Sequence, residues 1–276
     1  MALFLNLCLT YGAMSSSGLK TQNFQIMTKD NKQQKLSNSI EPAIAYSTCC
    51  VSGAVSKNGI SLIHGDSLQA LKSYGDKQFD WAIIDPPYGI DVANDSRFGK
   101  KSSSKAATKT KDYNKKDWDL GVPTTEFWDE LFRVSKNQIV WGVNYFADPR
   151  LCGGRIFWDK EVPEGYTKSK GEIAYRSTGV GVDYIKVTWH GMLQHNMKDK
   201  EIRIHPTQKP VLLYKHLLKK YTSEGDLILD THLGSGSIAI ACYEMKRRLI
   251  AYEIDDEYYQ KACKRFEEET RQMALW

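Results

Sequence analysis

Leu227-Ile-Leu-Asp230 runs through Thr-His-Leu-Gly234-Ser-Gly236 into the apolar stretch Ser237–Met245. A short apolar run, two closely spaced glycines and an apolar segment of helix length predict a strand, a tight turn and a helix. Such a unit calls for a parallel neighbour, since a strand followed by a helix returns the chain to the same sheet. Leu249–Glu253 supplies that neighbour, and Asp256–Glu268 follows it as an amphipathic helix. The glycines at 234 and 236 let a ligand approach the backbone, and the helix start presents unpaired N–H groups. Glu253 closes the next strand, seventeen residues past Gly236, where a carboxylate can accept both hydroxyls of a ribose. An adenosine-containing cofactor is indicated. Gly234-x-Gly236-x-x-Ala239 also satisfies the dinucleotide pattern, so an NAD-dependent oxidoreductase stays open, whereas the P-loop reading fails for want of a Gly-Lys-Ser/Thr.

The rest of the chain extends the alternation. Order is expected to begin near Ile60, with strands at Ser61–His64 and Trp81–Asp85, both stopping at a carboxylate. Pro123 reads as the first residue of a helix carrying Phe127, Leu131, Phe132 and Val134 at helical spacing. Ile139–Trp141 and Arg155–Trp158 read as strands and Val211–Tyr221 as a helix. Glu164–Arg203 is Gly-rich, with Tyr166, Tyr175, Tyr184 and Trp189 among Lys168, Lys170, Arg176 and Lys186. It reads as short strands and loops laid over the main sheet. The pattern predicts an α/β fold: a mostly parallel sheet with helices on both faces.

At 276 residues, 41% hydrophobic and 26% charged, with a mean hydropathy of −0.48, the chain excludes collagen-like, mucin-like and wholly disordered classes. The expected organisation is an extension over 1–58, mostly disordered, and one domain over 59–276. That domain carries a mobile basic loop at 97–117 and an insertion at 161–203. Met1–Ala13 is apolar but lacks the basic start of a signal peptide, which favours a poorly ordered extension, with a mis-assigned start upstream of Met14 or Met27 as the alternative. Six cysteines form no C-x-x-C and no zinc spacing, so no metal is expected and a reducing cytoplasm is the simplest compartment. No run is long and apolar enough to span a membrane.

Asp85-Pro86-Pro87-Tyr88 is the most informative string. It follows a buried strand, so it stands at the carboxyl end of the sheet, where open α/β sheets bind ligands. The prolines fix the backbone, leaving the Pro86 carbonyl and the Asp85 carboxylate as paired acceptors for an –NH2 group. Tyr88 offers a ring on which a planar base can stack. The exocyclic amine of adenine or cytosine is a poor nucleophile because its lone pair is conjugated. Two acceptors on its hydrogens favour a pyramidal nitrogen that can attack a methyl sulfonium in line. No Pro-Cys dipeptide, the nucleophile signature for methylation at cytosine C5, is present.

In this order (Asp85–Tyr88, a variable region, His205-Pro-Thr-Gln-Lys-Pro210, then Asp230–Gly236) the motifs resemble the β group of DNA amino-methyltransferases of bacteria and phages, over about Ile60–Phe266. The resemblance implies a Rossmann-like, S-adenosylmethionine-dependent fold with a target-recognition insertion, acting on DNA by base flipping. It implies that Gly234 and Gly236 lie against the methionine part, with Asp230 near its amino group and His205 and Lys209 beside it. Glu253 would hold the ribose and Asp66 the cofactor adenine. Asp before Pro-Pro-Tyr favours N6 of adenine over N4 of cytosine. The family's turn often reads Asp-Pro-Phe; here it is Asp230-Thr231-His232-Leu233, and an aromatic beside the cofactor is expected to be lost. Trp118, Trp128, Trp141 and Trp158 are expected to pack in the core.

The net charge of +5 is mild, but Arg97–Lys116 holds eight Lys or Arg and one acid, Asp112, a local balance of +7. That segment and Glu164–Arg203 are the expected contacts with DNA. Whether the chain works alone or as a homodimer is left open by the sequence.

Overall fold

The computed structural model describes residues 54–90, 121–166 and 169–273. The basic segment 97–117, Trp118 and all but the end of the extension 1–58 lie outside the described residues.

Eleven strands are described: β1 Val55–Lys57, β2 Ile60–His64, β3 Phe79–Ile84, β4 Ser135–Trp141, β5 Gly154–Asp159, β6 Gly171–Arg176, β7 Val182–Lys186, β8 Trp189–His190, β9 Leu193–Gln194, β10 Leu227–Asp230 and β11 Arg248–Glu253. The helices are α1 Ser67–Leu71, α2 Thr125–Val134, α3 Val211–Tyr221, α4 Ser237–Glu244 and α5 Asp256–Met273. Nine strands form one sheet in the order β1-β2-β11-β10-β3-β4-β6-β5-β7, and β8 and β9 form a separate hairpin. The run from β2 to β4 is parallel throughout. From β10 the chain moves outward to β11, and from β3 it moves the other way to β4. The crevice between β10 and β3 is therefore the topological switch point, where such sheets place their ligands.

The alternation of strand side chains builds two cores. Ile228 of β10 and Ile83 of β3 face α3, α4 and α5, packing with Leu213, Leu217, Ile238 and Phe266. Leu227, Leu229 and Ile84 face the other way, against Phe127, Leu131 and Val134 of α2. Trp128, Trp141 and Trp158 are all buried, as expected.

Four details differ from the expectations set by the sequence. β1 precedes Ile60: Val-Ser-Lys carries almost no apolar signal, but Asn58 and Gly59, both at positive φ, turn it back onto β2 as a two-residue hairpin. Pro123 stands before the cap of α2 rather than in its first turn, because the Thr124 hydroxyl accepts the Phe127 amide at 3.2 Å and takes the cap position. The last helix runs to Met273; its final turns are polar, and buried Thr270, bonded by Lys57 at 2.8 Å, holds them down. The segment at 164–203 does not lie over the sheet. β6 inserts between β4 and β5, antiparallel to both, and β7 forms the edge beside β5. Gly171 permits this closeness, since a Cβ there would lie 2.4 Å from the Trp158 carbonyl oxygen.

Candidate active site

The carboxyl ends of β2, β11, β10 and β3 converge on a cavity of about 310 Å³, lined among others by Asp66, Pro87, Phe127, Thr231, His232 and Glu253. Parallel register puts Glu253 level with His64, so Asp66, two residues on, reaches the same rim. Asp66 is exposed and accepts the Leu68 amide at 2.8 Å as the cap of α1.

Glu253 is 9% exposed, and both its oxygens are oriented by the backbone. Oε2 accepts the Gly234 amide at 2.8 Å and Oε1 the Asp255 amide at 3.0 Å. Gly234 and Gly236 sit at φ 53° and 72°, in the left-handed region that favours glycine. A Cβ on Gly236 would also come within 3.3 Å of Ala262 on α5. Asp230, at the end of β10, is 2% exposed and accepts the His232 amide at 3.0 Å. Burial, reinforced by the nearby charges of Asp85 and Glu253, pushes its carboxyl up to about 8. Burial likewise raises Glu253. Among the described residues neither Asp230 nor Glu253 has an ion-pair partner.

His205 is buried with its ring 3.9 Å from the position a Cβ would take on Gly234, and edge-on to Tyr258 at 4.3 Å. Its Nδ1 accepts the Thr207 amide at 3.3 Å, and burial lowers it to about 3, so the ring is neutral. The turn around Asp230 does not lack an aromatic. His232 itself lines the cavity, with Phe127 of α2 5.7 Å from its ring. The second ring comes from a distant helix, which a local motif cannot show.

On the other side of the switch point Asp85 follows β3 directly, with Pro86 buried behind it. The Tyr88 hydroxyl donates to Asp85 Oδ1 at 2.6 Å, and the Tyr88 ring stacks on Tyr145 at 4.8 Å and 12°. Gly142, which caps the 3-10 turn Val143–Tyr145, and Tyr145, its last residue, carry no signal in the sequence, and neither does Phe127 as a site residue. Lys209 is placed differently from the role its motif implies. Its ammonium meets Asp85 Oδ2 at 2.5 Å and Glu172 Oε2 at 3.0 Å, so its partners belong to the Asp-Pro-Pro-Tyr side. Glu172 of β6, itself paired with Lys160, has no sequence signal beyond being one acid among many.

The arrangement has two halves. One holds buried carboxylates without an ion-pair partner among the described residues and a glycine turn, a donor set that fits a ligand bearing a ribose and positive charge, as S-adenosylmethionine does. The other presents an oriented carboxylate and an aromatic ring. Among the described residues no group of three or more His, Cys, Asp or Glu is placed to hold a metal ion, and no helix is long and apolar enough to cross a membrane.

Comparison with known proteins agrees with this layout. The type II methyltransferase M2.DpnII of Streptococcus pneumoniae is 26% identical over 254 residues, 77% of this chain and 91% of its own length. M2.LlaDCHI of Lactococcus lactis subsp. cremoris, also a type II methyltransferase, is 24% identical over 250 residues, 76% of this chain and 90% of its own. Among solved structures the PvuII DNA methyltransferase (cytosine-N4-specific) superposes with a TM-score of 0.50 at 15% identity, covering 77% of this chain and 90% of that one, which shows a shared fold. The N6/N4 methyltransferase family, described as DNA methylase, matches residues 101–264, a span that holds His205–Pro210 and the glycine turn; the chain belongs to that DNA methylase family.

Proposed function

We propose that the protein transfers a methyl group from S-adenosylmethionine to N6 of adenine in DNA, with the target base turned out of the duplex onto Tyr88. One observation carries the reading. Asp85, its carboxylate oriented by Tyr88 at 2.6 Å, stands beside a cavity that its own neighbour Pro87 and the buried Glu253 both line, and neither Glu253 nor the buried Asp230, next to the lining residue Thr231, has an ion-pair partner among the described residues. Membership of a methylase family leaves the NAD-dependent reading of the glycine turn without support.

When bound, S-adenosylmethionine supplies a methyl group on a sulfonium that leaves as a neutral thioether. The protein's own groups do the rest. Glu253 keeps a free lone pair on each oxygen after accepting two amides, enough for two ribose hydroxyls. Asp230 would hold the ammonium end beside Gly234 and Gly236, with the neutral ring of His205 next to Gly234. Asp66 is at the rim for the cofactor adenine. Asp85, with the Pro86 carbonyl beside it, accepts the hydrogens of the target amine and frees its lone pair for in-line attack. The proton the nitrogen then sheds passes to Asp85. An acid in place of serine ahead of Pro-Pro-Tyr supports adenine over cytosine. The segment Glu164–Arg203 is proposed to read the target sequence and Arg97–Lys116 to engage phosphates.

Mass spectrometry of nucleosides from unmethylated genomic DNA, treated with the full-length protein and S-adenosylmethionine, tests the reading. N6-methyladenine is expected. N4-methylcytosine alone would overturn the choice of base, and no methylated base would overturn the function.

A further inference from the structure

Behind the catalytic tetrapeptide lies a partly buried cluster of four charges contributed by four separate segments, with Lys209 buried at its centre. Asp85 follows β3, Glu172 belongs to β6, Lys160 follows β5 and Lys209 precedes α3. The Lys209 side chain is only 3% exposed, and its ammonium is 2.5 Å from Asp85 Oδ2 and 3.0 Å from Glu172 Oε2. Lys160 pairs with Glu172 Oε1. Two acids and two bases give a cluster of zero net charge, the condition under which buried ions persist. The backbone on which Lys209 rides is held too: the neighbouring Gln208 carbonyl accepts the Trp189 indole N–H at 2.7 Å, and the Gln208 side chain accepts the Ile204 amide at 2.9 Å.

We infer that Glu172 and Lys209 are positioning residues for Asp85: Glu172 shares the Lys209 ammonium so that Asp85 is oriented by a cation without surrendering its capacity to accept the target amine and its proton. The inference rests on the methyl-transfer reading above.

The geometry supports each part. An ammonium has three hydrogens and no lone pair. Lys209 donates to Asp85 and to the Tyr88 oxygen, which lies 3.3 Å away, and forms an ion pair with Glu172. Because Lys209 donates to the Tyr88 oxygen, the tyrosine hydroxyl is left to donate to Asp85 Oδ1. One cation thus sets both the carboxylate and the ring. Held by two carboxylates, Lys209 stays protonated although burial opposes it, so it cannot serve as the base. Asp85 can. Burial raises its carboxyl and Glu172 raises it further, against the lowering effect of Lys209 and of the Tyr88 hydrogen bond. Glu172 itself, despite burial, is held at about 2 by Lys209 and Lys160. The other ionisable groups that face Asp85 are Tyr214 of α3 and Asp230 of β10, which couple to it more weakly. Without Glu172, Lys209 would bind Asp85 alone and make it a poorer proton acceptor.

The acidic limb of kcat against pH, measured with the full-length protein, saturating S-adenosylmethionine and unmethylated genomic DNA, reads this directly. In Glu172→Gln the limb is expected to move down by about one pH unit, with kcat lowered about tenfold, because a negative charge beside Asp85 is gone. In Lys209→Met it is expected to move up by about as much, because two carboxylates then face each other. Affinity for S-adenosylmethionine by calorimetry should change by less than about twofold in both. A merely structural role would not move the limb in opposite directions. Limbs that stay in place or move together overturn the inference, as does Lys209→Met with weakened cofactor affinity and an unmoved limb. Glu172→Gln is isosteric and decides the matter alone should Lys209→Met fail to fold. Wild-type protein that methylates no DNA overturns instead the functional reading on which the inference stands.

Discussion

The Tyr88 ring rests against the backbone of Gly142, so closely that a Cβ built on Gly142 would lie 2.1 Å from Cε1 of the tyrosine. Gly142 also sits at φ 71°, where a side chain is strained in any case. Gly142→Ala must therefore push the Tyr88 ring away and with it the hydroxyl that orients Asp85. The cavity proposed for the cofactor includes neither Gly142 nor Tyr88 among its lining residues. Methyl transfer should fall about 100-fold, since small misplacements at a reacting centre are costly, while S-adenosylmethionine still binds. Parallel calorimetry and methylation assays check this; equal losses in both would mean that the fold, and not the ring, was disturbed.

If Asp230 holds the ammonium end of the cofactor as proposed, binding depends on pH. With its carboxyl raised to about 8 by burial, it is largely protonated in the free protein at neutral pH. Because the folded value lies above the unfolded one, its contribution to stability is complete below about 4, the ordinary value, and is lost as pH rises through about 8. A cationic ligand group reverses the balance by favouring the ionised form. Affinity for S-adenosylmethionine should therefore rise from about pH 6 to about pH 8 and then level off, with a proton released on binding. Asp230→Asn should flatten that rise, weaken binding at least about tenfold, and make the stability of the free protein less dependent on pH between about 4 and 8. Calorimetry in buffers of different ionisation enthalpy counts the proton.

Glu253, proposed to hold the cofactor ribose, also braces the glycine turn, because its oxygens take the amides of Gly234 and Asp255 at 2.8 and 3.0 Å. Glu253→Ala leaves two backbone donors without their acceptor and should cost about 1–3 kcal/mol in urea unfolding. Glu253→Gln keeps one acceptor oxygen and should recover part of that stability but little cofactor affinity. If the two variants bind the cofactor as the parent does, Glu253 only braces the glycine turn.

The cofactor half is far more legible in the sequence than the catalytic surroundings. Leu227–Glu253 declares itself because every signal is local: apolar runs, glycines that occupy positive φ, and an acid at a strand end. Asp85–Tyr88 is equally local. The partners of these residues are not. Lys209 lies 124 positions from Asp85 along the chain, and its neighbours Gln208 and Pro210 say nothing of that pairing. Glu172 acquires its place only once β6 is inserted between β4 and β5, an ordering set by strand pairing and not by the composition of 164–203. The Gly-rich character of that segment suggests loops; at Gly171 it reflects close approach of a neighbouring strand.

The charge of Arg97–Lys116 makes its own prediction from the sequence. With seven lysines, Arg97 and a single acid, the segment carries the +7 that exceeds the whole chain's +5. Lysines that neutralise DNA phosphates release counterions, so the slope of log affinity against log salt becomes shallower by about 0.9 for each phosphate no longer neutralised. Replacing Lys100, Lys101, Lys105 and Lys109 by glutamine should weaken binding to a duplex of arbitrary sequence and flatten its salt dependence accordingly. Affinity for S-adenosylmethionine should not change, because that cavity depends on carboxylates and backbone amides. Fluorescence anisotropy across a salt series measures both the DNA affinity and its slope. An unchanged slope with unchanged affinity would remove the segment from the DNA interface and leave phosphate binding to other basic residues, with those of Glu164–Arg203 the next to test.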